Sequence, residues 1–138
     1  MADVAPVPSF KRAIGSGYLI QQSPGGEMIG GVEVTLRHAK TTAGSLVALD
    51  TVWQSQSVND VPPTYQQEAV AGIRKFANKR NIDLTRFHIE IGRFVVHDVD
   101  SMPVLYYLAA QNAFESALNM WNRMSNVSQN AFKQRTMT

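Results

Sequence analysis

The sequence contains no cysteine, so disulfides, thiolate metal centres and cysteine nucleophiles are all excluded. It also has no apolar run near the roughly 20 residues that a membrane-spanning helix needs. Its first residues, MADVAPVPSFKR, carry no apolar segment of the kind that directs export. These absences favour a cytoplasmic protein that does not enter the membrane.

Charge of either sign is sparse, at 17% of 138 residues, and the formal net charge is only +2. A hydrophobic content of 44% at this length suits one globular core. Dedicated nucleic-acid binders usually concentrate basic side chains on one face. The composition therefore permits a nucleic-acid partner without requiring one.

Alternation of apolar and polar residues predicts strands in three places. Residues 31–38, GVEVTLRH, alternate with the period of a strand buried on one face. Residues 45–53 are a second β-prone run, whose short connection to the first predicts an antiparallel hairpin. Residues 86–96 alternate in the same way and predict a third strand.

Apolar residues recur at helical spacing after the first strands and again near the end of the chain. Thr64 and Gln67 match a capping box, and Tyr65, Ala69, Ile73 and Phe76 form one apolar stripe after it. Asp100 or Ser101 is the predicted cap of a second helix over residues 105–121. The order of elements predicts an α+β fold, a two-layer sandwich with a mostly antiparallel sheet and two helices on one face.

The chain divides into three parts. Residues 1–17 are rich in proline and glycine and predict an extended N-terminal arm, and residues 18–122 the folded domain. Residues 123–138 predict a polar C-terminal tail, which could fray or could extend the second helix. The two flanks could also mediate self-association into a homo-oligomer.

The segment HDVDS, residues 97–101, holds the most reactive side chains. His97 beside Asp98 and Asp100 could perform acid–base chemistry, but residues between a strand and a helix more often serve as caps and turns. His88, His97, Asp98 and Asp100 lack a metal-ligand spacing. We predict no catalytic residue and no metal site.

Glycine-rich and basic segments offer two further candidates. The segment SPGGE, residues 23–27, lacks the GxxxxGK[ST] pattern of a phosphate loop, so it predicts a turn and no nucleotide cofactor.

A basic edge could engage phosphates or could simply be a solvated helix face. It consists of Arg74, Lys75, Lys79, Arg80 and Arg86. The aromatic residues Trp53, Tyr106, Tyr107 and Trp121 could stack on bases, although core packing is the favoured interpretation.

Three groups of residues occur in an order known from one protein family: Tyr65, Ala69, Val70, Gly72 and Ile73, then His97, Val99, Asp100 and Ser101, then Ala109, Ala110, Ala113 and Phe114. With these groups, and more faintly with the glycine-rich segment QQSPGGEMIGGVEVTL before them, the chain from about residue 21 to residue 118 resembles domain IV of translation elongation factor G. The resemblance implies a left-handed βαβ crossover and a domain tip, which would correspond here to His97 and Asp98 together with Gly25 and Gly26. In the elongation factor this tip reaches the decoding centre of the ribosome.

The function expected from these observations is a non-catalytic binding module without a cofactor, which contacts ribosomal or other structured RNA through the tip at His97 and the basic edge from Arg74 to Arg86. Two alternatives stay open. One is a small enzyme that uses His97 or His38 in a cleft at the sheet edge, and the other is a self-associating protein-interaction domain.

Overall fold

The computed structural model describes residues 11–23, 26–49, 52–55, 61–96 and 102–136. Its elements in chain order are β1 (Arg12–Ser23), β2 (Gly26–His38), β3 (Ser45–Ala48), β4 (Val52–Ser55), α1 (Pro63–Arg80), a 3₁₀ turn (Leu84–Arg86), β5 (Phe87–Val96) and α2 (Pro103–Thr136). Strands and two helices form two layers, so the predicted α+β sandwich is confirmed. Neither helix is long and apolar enough to cross a membrane, as far as the described residues reach.

The sheet is mixed and four strands wide. β1 pairs antiparallel with β2, and β2 pairs antiparallel with β5. β3 and β4 lie end to end along the far side of β5, and both run parallel to it. The predicted hairpin between β2 and β3 is therefore wrong. β5 occupies the place between them because its inner face, which includes Ile89 and Ile91, is fully buried and suits a central position.

The connection from β3 through α1 to β5 is a left-handed crossover. Ile91 points its side chain into the buried layer, and its carbonyl accepts a hydrogen bond from Leu49 N–H at 2.7 Å. Consider the sheet seen from the side of the helices, with β5 running upward. An L-residue whose side chain points toward the viewer then has its backbone carbonyl pointing to the right. The strand that donates to this carbonyl, β3, therefore lies to the right of β5. From β3 the chain passes through α1, in front of the sheet, to β5 on the left of β3. This is a left-handed crossover, whereas parallel crossovers are almost always right-handed.

The core lies between the sheet and the helices, and α2 contacts both β1 and β2 while α1 packs on α2. Tyr106 is fully buried, stacks on Tyr65 at a centroid distance of 4.4 Å and donates its hydroxyl proton to the Val95 carbonyl at 2.6 Å. Trp121 is 3% exposed. Both rings pack in the core, as predicted; the side chain of Trp53 lies outside the described residues.

Glycines allow the two layers to approach closely. A Cβ atom at Gly17 would lie 1.9 Å from the Ala109 carbonyl oxygen, and one at Gly15 would lie 2.2 Å from that of Ala113. Real Cβ atoms do not tolerate such contacts with backbone, so only glycine fits where α2 crosses β1.

Three predicted boundaries differ from the structure. β1 begins at Arg12, inside the predicted arm of residues 1–17, and α2 continues to Thr136, through most of the predicted tail. Thr64 is not a cap, because α1 begins at Pro63 with Pro62 in the N-cap position and no side-chain cap. Proline suits the first helical position since its φ is already helical and it has no amide hydrogen to satisfy.

We expect Gly17→Ala to destabilise the domain by about 1–3 kcal/mol or more, because the new methyl group must push the α2 backbone away from β1. Urea denaturation followed by circular dichroism measures the change. Ser16→Ala is the matched control, since Ser16 is the preceding residue and its side chain is exposed on the opposite face. Equal stability of the two variants would contradict the close contact.

Candidate functional site

The predicted tip lies largely outside the described residues. This applies to Gly25, His97 and Asp98, and equally to Asp100 and Ser101, the predicted caps of the second helix. Gly26 is described as the first residue of β2, paired with Ser23 of β1. The role of the tip therefore stays a prediction.

The two ends of the sheet are distinct. β2 begins at Gly26 and pairs with β5 only from Gly31, so the β1–β2 hairpin extends past the end of β5. At the opposite end, β1 and β5 begin, β2 ends and α1 ends. We call this second end the basic end, for the lysine and arginine side chains found there: Lys11, Arg12, Arg37, Lys40, Lys79, Arg80 and Arg86.

All five residues of the predicted basic edge are exposed. Arg80 makes an ion pair with Glu115 of α2 at 3.3 Å and lies over the Phe76 ring, and Arg86 lies over the Phe87 ring. Arg74 borders a depression that is also lined by Ser45 and Thr85. Aromatic faces beneath the two guanidinium groups restrict their motion while leaving their donors accessible.

The sequence pattern missed the contribution of β1 and β2 to this end. Lys11 lies over the Trp121 ring, 4.0 Å from its centroid, and donates a hydrogen bond to Ser125 Oγ. Burial of the ammonium group, and then repulsion from Arg86, lower the pKa of Lys11. Cations distant in sequence are thus close enough here to influence one another.

A polar row crosses the outer face of the sheet, the open face, which the helices leave uncovered. In register, Arg12 lies opposite Arg37, Arg37 opposite His88, and His88 opposite Ser45. The first three each have a buried neighbour in their own strand and therefore point outward, and Ser45 shares the face of its partner His88. Neighbouring strands lie about 4.8 Å apart, so the four side chains form one continuous row.

Hydrogen bonds link this row to Glu90. Ser45 Oγ bonds to His88 Nδ1, His88 Nε2 lies 3.5 Å from Glu90 Oε2, and Arg37 Nη1 lies 2.7 Å from Glu90 Oε1. The hydrogen bond from Arg37 lowers the pKa of Glu90, and burial only partly opposes it. The serine, histidine and glutamate have the residue types of a hydrolase triad, but they lie along an open sheet surface.

Of the two histidines that the enzyme alternative names, His38 lies within the described residues. His38 packs edge-on against Trp121, with ring centroids 4.8 Å apart. Three depressions on the described surface are lined by other residues, and neither His38 nor His88 borders them. Among the residues that the structure covers, no group of three histidine, aspartate or glutamate side chains could hold a metal ion.

The chain matches no family model and no curated protein. It is similar to the crystal structure of a protein from Thermus thermophilus, with 25% identity and a TM-score of 0.55 over 75% of this chain. The chain spans only 15% of that protein's length. The similarity shows a shared fold, which in the Thermus protein is part of a much longer chain.

We expect the Glu90 carboxylate to stabilise the fold above its unfolded pKa of about 4.3, with the effect lost as pH falls through the lower folded value. Glu90→Gln should therefore reduce the free energy of unfolding at pH 7, by up to about 1 kcal/mol because the pair is partly exposed. The deficit should shrink at pH 3. Urea denaturation at both values measures it.

Glu68→Gln is the control, because Glu68 makes no ion pair among the described residues. A deficit of equal size at both pH values would show that the charge of Glu90 contributes nothing to stability.

Proposed function

We propose that this protein is a non-catalytic binding module, related in fold to domain IV of elongation factor G, that holds structured RNA through phosphate contacts at its basic end. The observation that carries the proposal is the convergence of cations from separate elements on that end. They come from the start of β1, the end of β2, the end of α1 and the 3₁₀ turn before β5. Ribosomal RNA is the favoured partner because of the family resemblance.

The charges at the basic end are suited to a polyanion. Lys79 and Arg12 are exposed and make no ion pair within the described part of the chain. Three carboxylates lie near this end: Glu90 pairs with Arg37, Glu115 pairs with Arg80, and the exposed Asp83 is close enough to Arg86 to interact with its charge. An RNA backbone presents phosphates at regular intervals, and contacts from fixed lysines and arginines orient it without reading its sequence.

The two-layer fold supports the resemblance to domain IV, because many of the residues that carry the resemblance pack in its core. Ala69, Gly72 and Ile73 of α1, and Ala109, Ala110, Ala113 and Phe114 of α2, are all buried in the interior. They specify how the helices pack, so they indicate the fold and leave the activity open. The left-handed crossover, uncommon among proteins, points in the same direction.

The predicted tip has an acidic residue next to it in the sequence. Glu27 follows Gly25 and Gly26 directly, and its negative charge disfavours phosphate contacts by this segment. The resemblance by itself would favour RNA binding through the tip. The proposal places the RNA at the basic end instead.

We expect charge reversal at Lys79, Arg80 and Arg86 to weaken binding to a structured ribosomal RNA fragment at least tenfold at low salt. The slope of log affinity against log salt should fall by about 3, one unit for each lost phosphate contact. Fluorescence anisotropy with a labelled fragment, repeated across a salt series, measures both quantities.

The matched control is the triple variant Lys79→Arg, Arg80→Lys and Arg86→Lys, which keeps every charge and should bind nearly as well as the natural protein. Affinity that survives charge reversal, or that does not depend on salt, would remove the electrostatic basis of the proposal.

A further inference from the structure

A depression on the open face, away from the basic end, has features that RNA binding by phosphate contacts does not need. It is lined mainly by Ser16, Tyr18, Gly31, Glu33 and Arg93. These residues belong to three adjacent strands, so the sheet itself forms its floor.

The Tyr18 ring lies on the sheet at this depression and is 51% exposed. Tyr18 is opposite Gly31 in the register, and a Cβ atom at Gly31 would come within 2.7 Å of Tyr18 Cδ2. The ring thus covers the space that a side chain at Gly31 would fill. The Cδ2 atom of the ring lies over β2 at Gly31, and the exposed part of the ring is accessible to a planar ligand.

Arg93 borders the same depression from an unusual backbone conformation. Its φ is +50°, a left-handed value that costs a non-glycine residue on the order of 1 kcal/mol or more. The pairing of β2 with β5 shifts between Gly31 and Glu33, which marks a β-bulge at this point. Bulges commonly redirect a side chain, and this one sets the half-exposed Arg93 guanidinium beside Tyr18, 3.8 Å from Glu33.

We propose that this depression binds one unpaired nucleobase of a single-stranded RNA segment, and this inference rests on the proposed function. The base stacks on the exposed face of Tyr18, while Arg93 contacts the base or its phosphate. Glu33 and Ser16 offer hydrogen-bond partners to the base edge. A base inside a duplex cannot reach the ring, so the site selects loops, bulges and single strands.

The position of the depression connects it with the basic end. Tyr18 and Arg12 lie on the same strand and both point to the open face, six residues and about 20 Å apart. A single RNA strand with one base stacked on Tyr18 can therefore follow β1 and place its phosphates near Arg12 and Arg37. Structured RNA with an unpaired segment would then engage both surfaces.

The test compares a short single-stranded RNA oligonucleotide with a duplex of the same length, both bound to the full chain. We expect Tyr18→Leu to weaken single-strand binding about 5- to 100-fold, the usual effect of losing one stacked base, and to leave duplex binding unchanged. Leucine keeps an apolar cover over Gly31, so the fold is preserved. Tyr18→Phe should bind within about twofold of the natural protein because the ring remains.

Ile20→Leu is the matched control, because Ile20 lies on the same strand and face, is 52% exposed and does not line the depression. Titration with adenosine and uridine 5′-monophosphates, followed by NMR, should shift the resonances of Tyr18, Gly31 and Arg93.

The outcomes separate this inference from the proposed function. Single-strand binding that is unchanged by Tyr18→Leu but lost on charge reversal at the basic end overturns the nucleobase site alone. Binding that depends on Tyr18 and ignores those charges overturns the basic-end proposal alone. If the monophosphates shift no resonance and no RNA binds, both are wrong.

Discussion

The architecture depends on the contact between α2 and β1, where helix backbone lies directly on strand backbone. Gly15 and Gly17 leave room for the Ala109–Ala113 side of the helix, and larger residues at either point would separate the two layers. This contact places the helices on one face of the sheet and brings Tyr106 and Phe114 into the core. It also determines that the opposite face, with Tyr18, Arg37 and His88, remains open.

The direction in which each strand and helix runs decides where the charged residues at its ends lie. β1 and β5 begin where β2 and α1 end, so most of the lysines and arginines between positions 11 and 86 lie at one end of the sheet. A net charge of only +2 conceals this arrangement, because acidic residues such as Glu27 and Glu68 lie elsewhere. Local charge density, more than total charge, governs attraction to phosphates.

The similarity to the Thermus structure shows a shared fold and leaves the relationship to domain IV of elongation factor G as a proposal. Among the described motif residues, Ala69, Gly72 and Ile73 of α1 and the alanines and Phe114 of α2 pack in the interior. Function depends on surface groups that such motifs do not specify. The basic end and the Tyr18 depression therefore support their own hypotheses.

Periodicity in the sequence was sufficient to predict β2 from residue 31 onward, β5, α1 and the buried part of α2, because an element buried on one face must repeat its apolar residues at the spacing of that element. The sequence also showed the cluster of basic residues Arg74, Lys75, Lys79, Arg80 and Arg86, because they are close together along the chain. Pairing partners were decided only in three dimensions: β3 joined β5 instead of β2, and the arm contributed half of β1. The row from Arg12 to Ser45 and the bulge at Arg93 depend on register between distant strands, and register is set by how the whole core packs.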